Sequence, residues 1–233
     1  MWLQAPNITC KHGFSTRLGG FSTGDFEGLN LGGGDDDPNA ILKNRELSLS
    51  QLNLSMANLC NLKQVHGNKV NVAFIGQQEG DALVSNKPNL VLAISIADCY
   101  PILFYDYKNK VIGAAHAGWR GTASKIAERT LLEMLKLGAE KKHIQAAIGQ
   151  GICKANFEVG HEVIEQFKTN GFPSTLLSGT KIDLAECNKF VLTENGIDSN
   201  NIWAMNRCTY EPEFYSYRRD KGKTGRMWAV ISQ

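Results

Sequence analysis

Leu90-Val91-Leu92-Ala93-Ile94-Ser95-Ile96, Ile102-Leu103-Phe104-Tyr105 and Val111-Ile112-Gly113-Ala114-Ala115 are three short apolar runs within one stretch of the chain. Each is too short for a typical buried helix and is bounded by polar or turn-forming residues, so each reads as a buried strand. Asp106 to Lys110 is polar and reads as a hairpin turn joining the last two. Cys99 follows the first run, in Ala97-Asp98-Cys99-Tyr100-Pro101. His116 ends the third, in Ala115-His116-Ala117-Gly118-Trp119-Arg120-Gly121, a glycine-rich turn that leads into a helix.

Towards the N-terminus, residues 8–16 read as a strand. A loop, Arg17-Leu18-Gly19-Gly20, and a Gly/Asp-rich segment follow it as far as Asp37. A loop of this length in a compact domain is usually functional, and 17–37 is a candidate lid, with a plain surface loop as the alternative. Asp37-Pro38 supplies an N-cap and a first-turn proline for a helix over 38–52. Residues 68–75 and 81–85 read as strands.

Towards the C-terminus, Ile126, Ala127, Thr130, Leu131 and Met134 recur at helical spacing and predict a helix over 122–137, stopped by Gly138. Strands are expected at 144–148, 201–205 and 227–232, and helices at 158–169 and 183–195. Strands and helices alternate, with hairpins among them. That is the pattern of an α/β fold whose mixed sheets are covered by helices. No repeat, low-complexity tract or linker interrupts residues 1–233, so a single domain is expected.

At 233 residues the chain is long enough for a full hydrophobic core, and 42% apolar with 21% charged residues argues against disorder. A net charge of +2 makes no broad electrostatic case for nucleic acid. The longest apolar stretch is far too short to span a bilayer, and the N-terminus lacks the pattern of a signal peptide. A cytoplasmic protein is therefore expected. Its six cysteines are all read as thiols, most of them buried small hydrophobes, with Cys99, Cys153 and Cys208 set apart from that packing role.

His66, in Lys63-Gln64-Val65-His66-Gly67, joins Cys99 and His116 as a candidate metal trio. A thiolate and two imidazoles suit zinc, and three protein ligands leave a fourth position for water, as in catalytic sites. Separations of 33 and 17 residues are not finger-type spacing, and the alternative is a packed cysteine with two hydrogen-bonded histidines. The strand ends favour the site reading, since open α/β sheets build their sites there. Arg120, in the turn before a helix N-terminus, could grip phosphate or carboxylate. Asp98 is a candidate acid/base by adjacency, with turn capping as the alternative.

Other patterns carry less. His161-Glu162-Val163-Ile164-Glu165 lacks the second histidine of a zincin helix, and the glycine run 31–34 is not a P-loop. No zinc nucleobase deaminase signature is present. Arg218-Arg219-Asp220 could bind an anion or be a surface charge cluster, and Lys154 and Glu158 are similarly ambiguous.

The ordered motifs nonetheless resemble one family. They are His12-Gly13-Phe14-Ser15-Thr16-Arg17-Leu18-Gly19-Gly20, Leu29-Asn30-Leu31-Gly32, Gln64-Val65-His66-Gly67, and the segments around Cys99 and His116. Phe157-Glu158-Val159-Gly160, Cys208-Thr209, Tyr215-Ser216-Tyr217-Arg218-Arg219-Asp220 and Thr224-Gly225-Arg226 extend the match to the C-terminus. Together they resemble the YfiH-like family, also described as a polyphenol-oxidase laccase family. The resemblance implies zinc on His66, Cys99 and His116, and a four-layer α/β/β/α fold similar to bacterial cysteine-hydrolase toxins. This chain departs from the family after Ile148, where Gly149-Gln150-Gly151-Ile152-Cys153 replaces a Gly-Pro and Cys-Cys-Tyr-like stretch.

The resemblance implies phosphorolysis of adenosine, inosine, guanosine and methylthioadenosine, with adenosine deamination, so a nucleoside and phosphate are the expected partners. Cys99, His116 and Asp98 are then the catalytic candidates, and Arg17, Arg120, Asn30 and Gln64 the substrate and phosphate contacts. Copper is the alternative metal. A multicopper oxidase, however, needs a histidine-rich cluster beside its His₂Cys site, and five histidines with two already committed cannot build one. Two other activities stay open. One is a zinc amidase removing misincorporated L-serine from a peptidoglycan precursor. The other is a metal-free cysteine hydrolase using Cys99 with His116 or His66.

Overall fold

A computed structural model describes residues 1–32 and 35–233. Gly33 and Gly34, within the glycine run 31–34 and the candidate lid 17–37, lie outside the described residues. In chain order the N-terminal half contains β1 (Trp2–Leu3), β2 (Lys11–Ser15), α1 (Pro38–Ser50), β3 (Leu59–Lys63), β4 (Val70–Val72), β5 (Gly76–Glu79), β6 (Ala82–Ser85), β7 (Val91–Ile96), β8 (Tyr100–Asp106) and β9 (Val111–Ala117). Then come α2 (Trp119–Ala123), α3 (Ile126–Lys136), β10 (Ile144–Ile148), α4 (His161–Thr169), β11 (Leu177–Ser178), β12 (Lys181–Ile182), α5 (Leu184–Glu194), β13 (Ile202–Ala204) and β14 (Met227–Ser232).

Two six-stranded mixed sheets form, in the orders β1-β2-β14-β7-β3-β5 and β13-β10-β8-β9-β6-β4. Successive side chains of a strand point to opposite faces. In β7, Leu92, Ile94 and Ile96 enter the core shared with the second sheet, while Val91 and Ala93 join Leu49 of α1 and Trp228 on the outer face. In β8, Leu103 and Tyr105 enter the shared core, and Ile102 and Phe104 face a third cluster with α3, α4 and α5. Burial on both faces is why these strands read as continuous apolar runs rather than alternating ones.

The expected helix over 122–137 is two helices. Gly118 caps α2 one turn early, and Lys125 adopts a left-handed conformation with φ of 60° before α3 begins. Residues 68–75 keep a strand only at 70–72, because Phe74 and Ile75 carry the chain from one sheet to the other. β3 and β5 had no sequence signal. β5 is a polar edge strand paired in parallel with β3, held by backbone hydrogen bonds rather than an apolar face. The reading of all cysteines as thiols also needs correction, since Cys153 and Cys208 are joined as a disulfide with Cα atoms 5.0 Å apart. Pairing of Gly151 with Cys208 brings these distant segments together. Among the described residues no helix is long and apolar enough to cross a membrane.

Candidate metal centre and active-site cavity

Three strand ends deliver the trio. β3 runs parallel to β7 in the first sheet, and the chain leaves it through Gln64 to His66. The Gln64 side chain continues the ladder: its amide donates to the Ser95 carbonyl and accepts from the Ser95 N–H, both at 2.8 Å. Cys99 lies just past β7, at a corner containing a cis Ala97–Asp98 peptide. His116 lies near the end of β9, opposite Pro101 of β8. The donor atoms of His66, Cys99 and His116 all lie within 4.8 Å of one another. It is the one such convergence of three metal-ligating side chains among the described residues.

Asp81, which sequence reasoning missed, organises this centre. β6 pairs with β9 so that Ala82 faces Ala115, which sets Asp81 beside His116. Its fully buried carboxylate lies 2.9 Å from His116 Nδ1. It also accepts the N–H groups of His66 at 2.9 Å and Gly67 at 2.7 Å. His66 has a φ of 58°, an uncommon conformation for a non-glycine residue, which aims both N–H groups at one carboxylate. With Nδ1 engaged, His116 is left with Nε2 as its ligand nitrogen, the arrangement that outer-shell carboxylates give metal-bound histidines. The only sequence signal for this role was an acidic residue at the head of an apolar strand.

The donor chemistry fits a metal, and Gly118 keeps the space open. A Cβ at Gly118 would lie 2.9 Å from Cys99 Sγ and 3.3 Å from His66 Nδ1. Its φ of −71° suits any residue, so Gly118→Ala should leave the fold intact. We expect zinc affinity to fall by roughly 10- to 100-fold, as for other disturbances beside metal ligands. Competition with a chromophoric chelator would measure it, and an unchanged affinity would refute the tight cradle.

Burial raises the Cys99 thiol, but the charges and hydrogen bonds of His116 and His66 outweigh it and bring the thiol down to about 6. Burial likewise opposes charge on His116, yet the Cys99 thiolate and Asp81 raise it to about 9. Desolvation instead pushes Cys10 to about 12, Cys60 to about 11 and Cys187 to about 12. In metal-free protein at pH 7.5, iodoacetamide should therefore label Cys99 ahead of these three, because the thiolate is the reactive form. The Cys99 rate should fall as pH drops below about 6. Peptide mass spectrometry over a pH series would test this, and equal labelling of Cys60 would contradict it.

The trio forms part of the wall of a cavity of about 660 Å³. Trp119, Phe157 and Tyr217 supply aromatic surface, and Arg45, Arg120, Arg218 and Arg226 supply positive charge. Gln64, Asp98 and Arg120 of the sequence-derived set line it. Asp98 has both carboxylate oxygens engaged, one by Thr209 Oγ1 at 2.5 Å and one by the Arg218 N–H at 2.8 Å. Arg17 and Asn30 are not among the lining residues. Arg17 donates to the Glu27 carbonyl and lies over Tyr215. Asn30 is buried behind the wall, where its side-chain oxygen accepts the Arg226 N–H at 2.8 Å. The Arg218-Arg219 pair divides its roles. Arg218 reaches the cavity, while Arg219 binds the carbonyls of Thr209, Glu211 and Phe214. Arg45 gave no sequence signal and Arg226 only its place in the Thr224-Gly225-Arg226 motif, because only the fold places them on this wall.

The family model for multi-copper polyphenol oxidoreductase laccase matches residues 11–233. The purine nucleoside phosphorylase of Deinococcus radiodurans is 46% identical over 233 residues, covering 98% of this chain and 91% of the relative. Adenosine deaminase RL5, from an unknown prokaryotic organism, is 34% identical over 84% of this chain and 83% of its own length. The crystal structure of YlmD from Geobacillus stearothermophilus aligns with a TM-score of 0.93 at 31% identity, covering 100% of this chain and 96% of that one. That of the Bacillus licheniformis hypothetical protein YfiH aligns with a TM-score of 0.90 at 29% identity, covering 95% and 91%. The fold is thus the mixed α/β architecture of these structures, and the chain belongs to the YfiH-like, laccase-domain family.

Proposed function

We propose that the chain is a zinc-dependent purine nucleoside phosphorylase acting on adenosine, inosine, guanosine and methylthioadenosine, with adenosine deaminase activity. The observation that carries this reading is the His66–Cys99–His116 convergence on the wall of an arginine-rich, aromatic-lined cavity. The names of the relatives in Deinococcus radiodurans and elsewhere support it. The trio would hold zinc, which when bound supplies a Lewis acid and an activated water. Zinc is preferred to a multicopper set because the remaining histidines lie apart from the trio. His12 is tied to Ala5 and Cys10, His143 packs on Tyr107, and His161 opens α4.

The chain's own groups divide the remaining work. Asp81 keeps His116 in one tautomer and orientation. Trp119, Phe157 and Tyr217 offer apolar surface to a purine. Arg120 at the rim adds charge for an anionic partner, and Gln64 braces the His66 segment against Ser95. Asp98 stands as the acid/base group, with Thr209 hydrogen-bonded to its carboxylate. Arg17 and Asn30 act on the substrate indirectly, through the loops they hold.

The test is turnover of inosine and adenosine with and without phosphate, on protein of measured zinc content. Phosphate-dependent release of hypoxanthine from inosine is expected. No nucleoside turnover by zinc-loaded protein would overturn the reading and turn attention to the amide substrate. One observation favours a second reading, a metal-free cysteine hydrolase: Cys99, His116 and Asp81 form a thiol–imidazole–carboxylate series. That reading requires activity that survives chelation and is lost on alkylation.

The same proposal takes residues 1–233 as one cytoplasmic domain. It reads the packing of α1, two sheets and α3–α5 as the four-layer α/β/β/α arrangement of cysteine-hydrolase toxins, which the three core clusters support.

A further inference from the structure

We propose that Arg45 and Arg226 form a binding site for inorganic phosphate on the cavity wall beside the metal centre. Its role in turnover rests on the phosphorylase reading; its capacity to bind phosphate does not. Both side chains line the cavity and are half-buried. Both are anchored on one residue. Arg45 Nε donates to the Leu31 carbonyl at 2.7 Å, and the Leu31 N–H donates to the Arg226 carbonyl at 2.9 Å. Asn30 Oδ1 accepts the N–H groups of both Gly32 and Arg226, which stiffens the same segment.

Each guanidinium is also fixed from behind. Arg45 lies over the Trp228 ring at 5.0 Å and Arg226 over Tyr217 at 5.6 Å. Arg226 Nη1 donates to the carbonyls of Thr224 and Gly225. Gly32 gives Arg45 room, since a Cβ there would lie 2.7 Å from Nη2. Yet neither arginine forms an ion pair with a carboxylate among the described residues. Desolvation lowers both guanidinium pKa values, and for Arg226 it outweighs the nearby negative charges, so burial disfavours the empty site.

Two preorganised forks with free N–H groups match a tetrahedral oxyanion. Arg120 and Arg218 fit this role less well. Both are exposed, Arg120 stacked on Trp119 and Arg218 bonded to the Glu158 carbonyl. Arg226 also feels the charges of Asp98 and Cys99, which sets the site within electrostatic reach of the reacting centre. In turnover a phosphate oxygen would form the bond to C1′ of the nucleoside as the C1′–N9 bond breaks. The purine would leave with that electron pair and take up a proton, giving ribose 1-phosphate and free base.

The experiment combines two readouts on the full chain. Phenylglyoxal labelling of the wild-type protein, read by peptide mass spectrometry, should be slowed at Arg45 and Arg226 by millimolar orthophosphate. Protection confined to Arg120 or Arg218 would overturn the proposal. So would protection by ribose 5-phosphate at lower concentration than orthophosphate, which would assign the pair to a phosphate monoester. In steady-state assays Arg45→Lys and Arg226→Lys, which keep the charge but lose the fork, should raise the KM for phosphate about ten- to a hundredfold. The KM for inosine should change much less, and equal changes in both would refute a phosphate site. Should wild-type protein turn over no nucleoside, the phosphorylase reading fails while the labelling still decides whether the pair binds phosphate.

Discussion

Asp81→Asn is expected to lower zinc affinity by roughly 10- to 100-fold while keeping the side chain's size. In the native site one carboxylate oxygen meets His116 Nδ1 and the His66 N–H, and the other meets the Gly67 N–H. Asparagine has one acceptor and one donor group. If its oxygen faces His116, its amide nitrogen opposes the Gly67 N–H. If it flips, the amide donates to His116 Nδ1 and drives the imidazole proton to Nε2, the nitrogen meant for metal. Either orientation leaves a buried donor without a partner, at a cost of about 1–3 kcal/mol. For a chain of this size that corresponds to a fall in Tm of about 3–10 °C. Burial raises the Asp81 carboxyl, but its hydrogen bonds and the His116 charge more than offset this and lower it. Its contribution to stability is therefore held above the ordinary carboxylate range and lost as pH falls through its lowered value. Zinc titration at pH 7, and thermal melts at pH 7 and at a pH well below the ordinary carboxylate range, about 2, would measure both effects. Wild-type zinc affinity in Asp81→Asn would remove Asp81 from the site's machinery.

Cys99→Ser should have the largest effect on activity. Its thiolate is the one soft, anionic ligand in the trio, and serine offers a neutral hydroxyl in its place. We expect the purified variant to lose bound zinc, and its kcat/KM for inosine to fall by more than the roughly 100-fold typical of lost outer partners. The fold should survive, because Cys99 is half-buried at a strand-end corner held independently by Asp98 with Thr209 and Arg218. Far-UV dichroism and zinc content on the same sample separate these effects. A folded variant that keeps its zinc but loses all activity would shift the reading to Cys99 as nucleophile. A variant that keeps both zinc and activity would remove Cys99 from the site altogether.

The central strands were legible because β7, β8 and β9 are buried on both faces, so hydrophobicity alone marks them. The trio was legible only as a candidate, because a cysteine and a histidine at strand ends are as readily explained by packing and hydrogen bonding, and it was the ordered family motifs that singled it out. β5 was not, since its pairing is a backbone property that polar side chains do not advertise, and β3 was not because Leu59, Cys60 and Leu62 are interrupted by Asn61 and too few to mark a strand. The break at Lys125 was hidden too, because the apolar spacing of α3 continues smoothly into the turn before it.

The amino-acid sequence by itself determined the α/β class and the apolar strands, since those depend on residue type and local period, and it named His66, Cys99 and His116 as a candidate trio whose convergence the tertiary structure supplied. Only the tertiary structure decided what stands around the trio. Asp81 joined it because β6 lies beside β9. Arg45 and Arg226 came together because Leu31 hydrogen-bonds to both. Arg17 and Asn30 were placed behind or away from the cavity for the same reason: long-range strand and loop pairing sets which side chains share a wall, and no local pattern encodes it.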